Sequence, residues 1–222
     1  MKELYTIGHS NHPIEKFLDL LNQHDIAALC DVRSHPYSKY NPQFTYKSLK
    51  QVLKEHNIAY VFLGKELGGR TDDLSCYSEG KLKYARLAQT QIFQDGINRL
   101  YKGMASYRIA LMCAEKEPVN CHRTILICRQ LRAQDMEIKH ILADGSIETQ
   151  REIEQRLIEM LKIPQPDFSF EQIEQAYDKQ SQKIAHVKNN YPNNSVQEVE
   201  DNYEQNSSAH DWSDEEDSRE FF

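Results

Sequence analysis

Residues 107–131 read YRIALMCAEKEPVNCHRTILICRQL, and this stretch decides the fold class. Residues 108–112 are an apolar run short enough for a buried strand, and from Thr124 onward Ile125, Leu126, Cys128 and Leu131 recur at helical spacing. Between them lie Cys113, Glu115, Lys116, Cys121, His122 and Arg123. Strand, reactive polar loop and helix in direct succession are the repeating unit of an open α/β sheet. Ligands of such sheets sit outside the carboxyl ends of the strands, where the next helix offers unpaired N–H groups to an anion. All six side chains are therefore expected at or near one crevice.

The same alternation extends in both directions. Upstream, strands are expected over 3–7, 27–32 and 59–63. A helix after the first has Ser10 or Asn11 as its cap, Pro13 near its first position and Phe17, Leu18, Leu20 and Leu21 inward. Residues 33–44 form a polar, proline-punctuated loop, and 46–56 a helix with Leu49 and Leu53 inward. Residues 64–70 and 72–80 read as loops, and 82–102 as one or two helices broken near Asp95-Gly96. Downstream, 137–142 is a strand closed by Asp144-Gly145, and 147–163 a helix with Ile153, Leu157, Ile158 and Leu161 on one side. Strands separated by helices imply an α/β, three-layer α-β-α fold with a mostly parallel central sheet. The expected division is an α/β domain at 1–163 carrying the site, a short helical extension at 164–188 and an acidic, disordered tail at 189–222.

Composition narrows the function classes. No run approaches the roughly 18 apolar residues of a membrane span, and the first residues lead straight into a strand pattern without a secretory signal. Five cysteines, an odd number, fit reduced thiols in a cytoplasmic protein better than a disulfide framework. Cys30 and Cys128 read as core, and Cys76 as an exposed loop thiol. The net charge of −7 is divided: residues 1–163 hold 23 Lys+Arg against 20 Asp+Glu, and residues 164–222 hold 4 against 14. The acidic end is either a solubilising tail or an arm that competes for a basic surface.

If the alternation is right, function collects at the strand ends, and the polar loops fall there. They are Gly8-His9-Ser10, then Asp31-Val32-Arg33-Ser34-His35-Pro36-Tyr37-Ser38, then Gly64-Lys65-Glu66-Leu67-Gly68-Gly69-Arg70, and then the loop from Cys113 to Arg123. With Thr6-Ile7 and Leu63 before them, these blocks resemble the signature blocks of the bacterial and archaeal family called "domain of unknown function 488", in the right order over roughly residues 3–145. The resemblance implies a compact cytosolic α/β domain with its active site at these loops, and leaves the chain after about Pro164 outside the pattern. Asp31-Val32-Arg33 is also similar to a strand end of rhodanese-like domains. Their Cys-x5 loop running into an arginine is absent, because Arg123 lies ten residues after Cys113.

Each candidate has a chemical and a structural reading. Cys113 is a nucleophile, whose thiolate His122, Lys116 and Arg123 would favour, or a metal ligand, or a small buried hydrophobe. Glu115 would oppose the thiolate or orient the reacting group. His9 is a general acid or base, or a histidine bound to a neighbouring loop. Arg33, Arg70 and Arg123 follow strands or glycine turns, where a guanidinium suits phosphate or carboxylate; each would alternatively pair with an acid such as Asp31 or Glu66. Ser10, Ser34, Lys116 and His122 complete the expected anion site, and Gly69 with Gly68 would expose backbone N–H groups to it. Tyr37, Tyr40 and Phe44 among Arg33, Lys39 and Lys47 mix aromatics with charge, as stacking on a base beside its phosphate requires. No C-x-x-C is present and adjacent residues seldom reach one ion, so no metal is assigned; one would fall to Cys113, Cys121 and His122.

These readings give three functional expectations. The first is an enzyme, a hydrolase or transferase, acting on an anionic substrate, foremost a nucleotide or nucleic-acid phosphate, with catalytic His9, Cys113 and Glu115. The second is a non-catalytic nucleotide- or nucleic-acid-binding module regulated by its acidic tail. The third is a Cys/His metal or thiol redox protein. No Walker loop, G-x-G-x-x-G, H-E-x-x-H or G-x-S-x-G is present, and nothing in the sequence names a cofactor. The partners expected are a small anionic ligand or nucleic acid, and no membrane.

Overall fold

A computed structural model describes residues 2–132, 136–164 and 168–188; the expected tail at 189–222 lies outside the described residues. The strands are β1 (Lys2–Gly8), β2 (Ala28–Asp31), β3 (Ala59–Phe62), β4 (Tyr77–Ser78), β5 (Lys81–Leu82), β6 (Ile109–Cys113), β7 (Met136–Ile141) and β8 (Ile147–Thr149). The helices are α1 (Ile14–Gln23), α2 (Tyr46–Glu55), α3 (Gly64–Leu67), α4 (Tyr84–Leu87), α5 (Gln91–Gly103), α6 (Arg129–Leu131), α7 (Gln150–Met160) and α8 (Phe170–Ile184). A π-helical stretch, Arg123–Cys128, leads directly into α6.

Six strands form one sheet in the order β3-β2-β6-β1-β7-β8, parallel throughout except for β8, which runs antiparallel to β7. β2 (ALCD) and β6 (IALMC) are buried at every position, because helices cover both faces. On one face Tyr5, Ile7, Leu29, Ala110 and Met112 pack against Phe17, Leu20 and Leu21 of α1 and Leu49 and Leu53 of α2. On the other, Leu4, Ala28, Cys30, Ile109 and Leu111 meet Phe93 and Leu100 of α5, Ile125 and Leu131 after β6, Leu157 of α7 and Tyr177 of α8. The period-two alternation of the strands thus feeds two cores, and truncating a central residue such as Leu29 to Ala would cost about 2–5 kcal/mol.

The topology fixes where a site can form. β6 lies between β2 and β1, so the chain leaves β1 toward the β2 side and leaves β6 toward β7 on the other side. α1, following β1, packs on one face, and the helix following β6 packs on the opposite face. The loops after β1 and β6 cross on their way to opposite faces, whereas those after β2 and β6 diverge, because β2 leads outward to β3; the crevice opens at the carboxyl ends of β2 and β6, the switch point at which such sheets bind ligands.

Several local expectations change. The α1 N-cap is Pro13, with no side-chain cap bond; Ser10 instead takes a positive φ of 48° as the chain turns out of β1. The helical break after β5 falls between α4 and α5, at residues 88–90, and Gly96 sits inside α5. A Cβ on Gly96 would stand 2.6 Å from Glu66 Cβ, so this glycine serves close packing of α3 on α5 rather than a break. Residues 147–149 form β8, and α7 starts only after Thr149, whose capping box with Glu152 satisfies its first amides. Cys76 is buried beneath the β4–β5 hairpin rather than exposed. α8, within 164–188, contributes Ile173, Ala176 and Tyr177 to the same core. Among the described residues no helix is long and apolar enough to cross a membrane.

Candidate functional site

At the switch point a cavity of about 1100 Å³ opens among the four expected loops. His9, Ser10, Arg33, Ser34, Tyr37, Gly69, Arg70, Cys113, Glu115 and His122 all contribute to its wall. Lys116 is exposed and does not line it, and Arg123 is fully buried behind it. Lys39 and His35 from the 33–44 loop, Tyr84 of α4, Asn120, and Ile184 and His186 from the C-terminal segment also line it. Asn120 belongs to the expected Cys113–Arg123 loop, whereas Tyr84, Ile184 and His186 carried no signal in the sequence, since nothing local distinguishes a side chain delivered by a distant segment. His186 arrives because its carbonyl accepts from Leu82 N (2.9 Å) and Lys188 N donates to Gly80 O (2.8 Å), which ties this segment to the β4–β5 hairpin.

The loops meet through their backbones. His9 N donates to Cys113 O (2.9 Å) and Ser10 N to Ala114 O (3.0 Å), so β1 and β6 stay zipped beyond their ends. A Cβ on Gly8 would lie 2.0 Å from Glu115 O, closer than atoms can approach; only glycine lets the 114–116 loop cross here. Ser34 Oγ accepts from Arg70 N (3.0 Å), joining the second and third loops.

Arg33 takes the structural course. It is 5% exposed and donates from Nε (2.9 Å) and Nη2 (2.5 Å) to the two oxygens of fully buried Asp31, and from Nη2 to Phe44 O (2.8 Å). Tyr60 Oη donates to the same carboxylate (2.8 Å). Burial opposes the Arg33 charge, but Asp31 outweighs it and holds the arginine pKa above its ordinary value. Its Nη1 donates to His9 Nε2 (3.2 Å), while His9 Nδ1 donates to Ser10 O (2.8 Å). His9 is stacked on Phe44 at 4.3 Å. Burial, seconded by Arg33, pulls the His9 pKa down to about 4. His9 is therefore a neutral imidazole at pH 7 with both nitrogens engaged, which suits ordering Arg33 better than donating a proton. Phe44 belongs to the core, whereas Tyr37 and Tyr40 of the same loop are 62% and 87% exposed.

Arg123 sits behind the Cys113 loop and holds its shape. Nη1 donates to Glu115 O (2.6 Å), Nη2 to Lys116 O (3.2 Å) and Nε to Thr6 Oγ1 (3.4 Å). Thr6 continues to His140 Nδ1 (2.8 Å), and His140 Nε2 to Gln150 Oε1 (2.9 Å). Gln150 then bonds Tyr177 Oη, which donates to Glu154 (3.0 Å). One buried polar chain thus runs from the site through the sheet to α7 and α8. Burial drives the His140 pKa down to about 3, so this histidine is neutral and supplies one donor and one acceptor. The amides of Thr124 and Ile125 go to Cys121 O (3.1 and 3.0 Å), so these first helical N–H groups serve the loop itself.

At the cavity floor Cys113, Glu115, Cys121 and His122 converge. Cys113 Sγ and Cys121 Sγ both reach Glu115 Oε2, at 2.8 and 3.0 Å, and Cys113 Sγ lies 3.6 Å from His122 Nδ1. One donor atom from each of the four falls within 4.8 Å of the others. Burial, with Cys121 and Glu115 adding to it, pushes the Cys113 thiol well up. Burial also opposes a charge on Cys121, but the hydrogen bond with Cys113, the Arg123 guanidinium and His122 together bring its pKa well down. The sulfur that favours the thiolate is accordingly Cys121, whereas the sequence pointed to Cys113. Burial raises the pKa of Glu115. Adjacent residues 121 and 122 reach one point because the backbone turns from extended at Cys121 (φ −128°, ψ 141°) to helical at His122 (φ −62°, ψ −25°). A thiol, imidazole and carboxylate group so arranged can carry covalent or acid–base chemistry, or hold a metal ion.

No curated protein and no solved structure matches the chain. The sequence model of one family matches residues 13–129, which takes in α1 through the helix after β6 and with them the Arg33, Arg70 and Cys113–Arg123 segments of the site. The chain belongs to the family described as domain of unknown function DUF488.

Proposed function

We propose that this protein is an enzyme, a hydrolase or transferase, acting on an anionic substrate whose recognised group is a nucleotide or nucleic-acid phosphate. The observation that carries the reading is the make-up and shape of the switch-point cavity, which Lys39 and Arg70 line together with one carboxylate, that of Glu115, while the Arg33 charge is taken up by Asp31. Lys39 and Arg70 stand on exposed loops, where a phosphate can reach them, and a guanidinium or ammonium there forms charge-assisted hydrogen bonds. Tyr37 and Tyr40 flank Lys39 with their rings largely open, as base stacking beside a bound phosphate demands. Arg33 and His9 stiffen the back wall, and the Cys113–Glu115 group at the floor carries the reaction.

Thermal-shift and fluorescence titrations with nucleoside mono-, di- and triphosphates and short oligonucleotides test this reading. The wild type should bind in a salt-dependent manner. Arg70→Ala should weaken binding about 10- to 100-fold, the worth of one charge-assisted hydrogen bond. An absent ligand shift, or equal affinity in the variant, refutes it.

A second reading, a binding module regulated by its acidic tail, is favoured by His186 at the cavity wall, because residues 189–222 begin three residues further on. Deleting 189–222 should then raise oligonucleotide affinity, in a protein without turnover.

A further inference from the structure

We infer that Cys113, Glu115, Cys121 and His122 form a site for one transition-metal ion of the zinc class, set into the floor of the switch-point cavity. The inference stands on the positions of these four side chains and holds whether or not the cavity takes a phosphate.

The first support is spacing. All four donor atoms lie within 4.8 Å of one another. A tetrahedral shell with metal–sulfur bonds of about 2.3 Å and metal–nitrogen or –oxygen bonds of about 2.0–2.1 Å has edges of roughly 3.3–3.8 Å. The 3.6 Å from Cys113 Sγ to His122 Nδ1 is already such an edge, and the two sulfur–oxygen distances need to open by about 0.5–0.8 Å.

The second support is the orientation of His122. Its Nε2 lies 2.9 Å from Val32 O, and a carbonyl can only accept, so Nε2 carries the hydrogen. The neutral ring then presents the Nδ1 lone pair to the sulfurs, the arrangement by which a backbone carbonyl fixes the tautomer of a ligating histidine. Gly69 makes room for the ring, since a Cβ there would stand 3.0 Å from His122 Cγ.

The third support is charge. A dication with two thiolates and a carboxylate leaves one negative charge over, and the fully buried Arg123, which holds the carbonyls of Glu115 and Lys116, supplies the matching positive one. Thiolate, imidazole and carboxylate together suit zinc and its neighbours, and not magnesium or calcium, which take oxygen ligands. Cys113, Cys121 and His122 are buried whereas Glu115 is exposed, so Glu115 is the ligand that a water or substrate oxygen can displace from the cavity side. That last step alone rests on the enzymatic reading above.

The test uses the full-length reduced protein, stripped with a chelator and titrated with Co²⁺ and then Zn²⁺. One equivalent of Co²⁺ should bind, with the intense ligand-field bands of a tetrahedral site and a thiolate charge-transfer band, and Zn²⁺ should displace it. X-ray absorption of the zinc-loaded wild type should show two sulfurs at about 2.3 Å and two lighter atoms at about 2.0 Å. Cys121→Ser and His122→Ala should weaken Co²⁺ binding at least about 100-fold, as much as the loss of an outer-shell partner can cost. Glu115→Gln, which keeps an oxygen facing the two thiols, should weaken it less. Absence of Co²⁺ uptake, or a shell with fewer than two sulfurs, overturns the assignment without recourse to any variant. Protein that takes up the ion but gives no nucleotide shift overturns the phosphate reading alone, and a nucleotide shift without metal uptake overturns this one alone.

Discussion

Removing the Asp31 carboxylate should unfold the site from beneath. Four donors end on it: Arg33 N, Nε and Nη2, and Tyr60 Oη. Asp31 is 0% and Arg33 5% exposed, so in Asp31→Ala the guanidinium stays buried beside Phe44 O and His9 with its counter-charge gone. Breaking such a pair costs about 3–5 kcal/mol, most of it from the uncompensated charge, and the stranded Tyr60 hydroxyl acts in the same direction. For a chain of this size about 4 kcal/mol corresponds to a fall of roughly 8–16 °C in melting temperature. The double variant Asp31→Ala/Arg33→Met removes both charges and should recover most of that loss, because a buried pair exchanged for apolar groups is close to neutral. Thermal unfolding followed by circular dichroism, with urea midpoints as a second measure, decides the matter. A loss below about 1 kcal/mol in the single variant, or a double variant no better than the single, would show that Arg33 is not held by Asp31 and is available to an anion.

Stability should fall as pH drops from about 6.5 toward 4. Burial, aided by Arg33 at His9 and by Arg123 and Arg156 at His140, holds these pKa values to about 4 and about 3. In that window the unfolded chain binds protons that the native state does not, so stability rises with pH, by up to about 1.4 kcal/mol per pH unit for each group. Urea midpoints that stay flat across the window contradict this, and His140→Gln should flatten the slope. Gly8→Ala should cost several kcal/mol and shift the 114–116 loop, because its Cβ would meet Glu115 O at 2.0 Å; a melting temperature within about 2 °C of wild type argues that the loop can move aside. A chain ending at residue 163 should fail to fold cooperatively, because it lacks Ile173, Ala176 and Tyr177 of the core. One ending at Lys188 keeps those residues, and its melting temperature should match that of the full chain; equal behaviour of the two truncations refutes a core role for α8.

The α/β class and the convergence of four polar loops on one rim were legible in the sequence, because both follow from local signals. A short apolar run is a strand buried on both faces, period 3.6 marks the helices, and strand ends are where a parallel sheet exposes its loops. The order β3-β2-β6-β1-β7-β8, and with it the switch point between β2 and β6, was decided by pairings such as Tyr5 with Ala110 and Ala28 with Ile109, between segments far apart in the chain, which no local pattern encodes. Arg33 and Arg123 look alike in sequence, each an arginine in a polar loop. Only the surrounding carboxylate and carbonyls make one the partner of Asp31 and the other a brace for the Cys113 loop. Likewise the sequence set Cys113, Glu115, Cys121 and His122 at or near one crevice but not at bonding distance from one another. Their meeting depends on the extended-to-helical turn at Cys121–His122, on the absence of a Cβ at Gly8 and on a histidine ring pinned by Val32 O, which is geometry fixed by contacts across the fold.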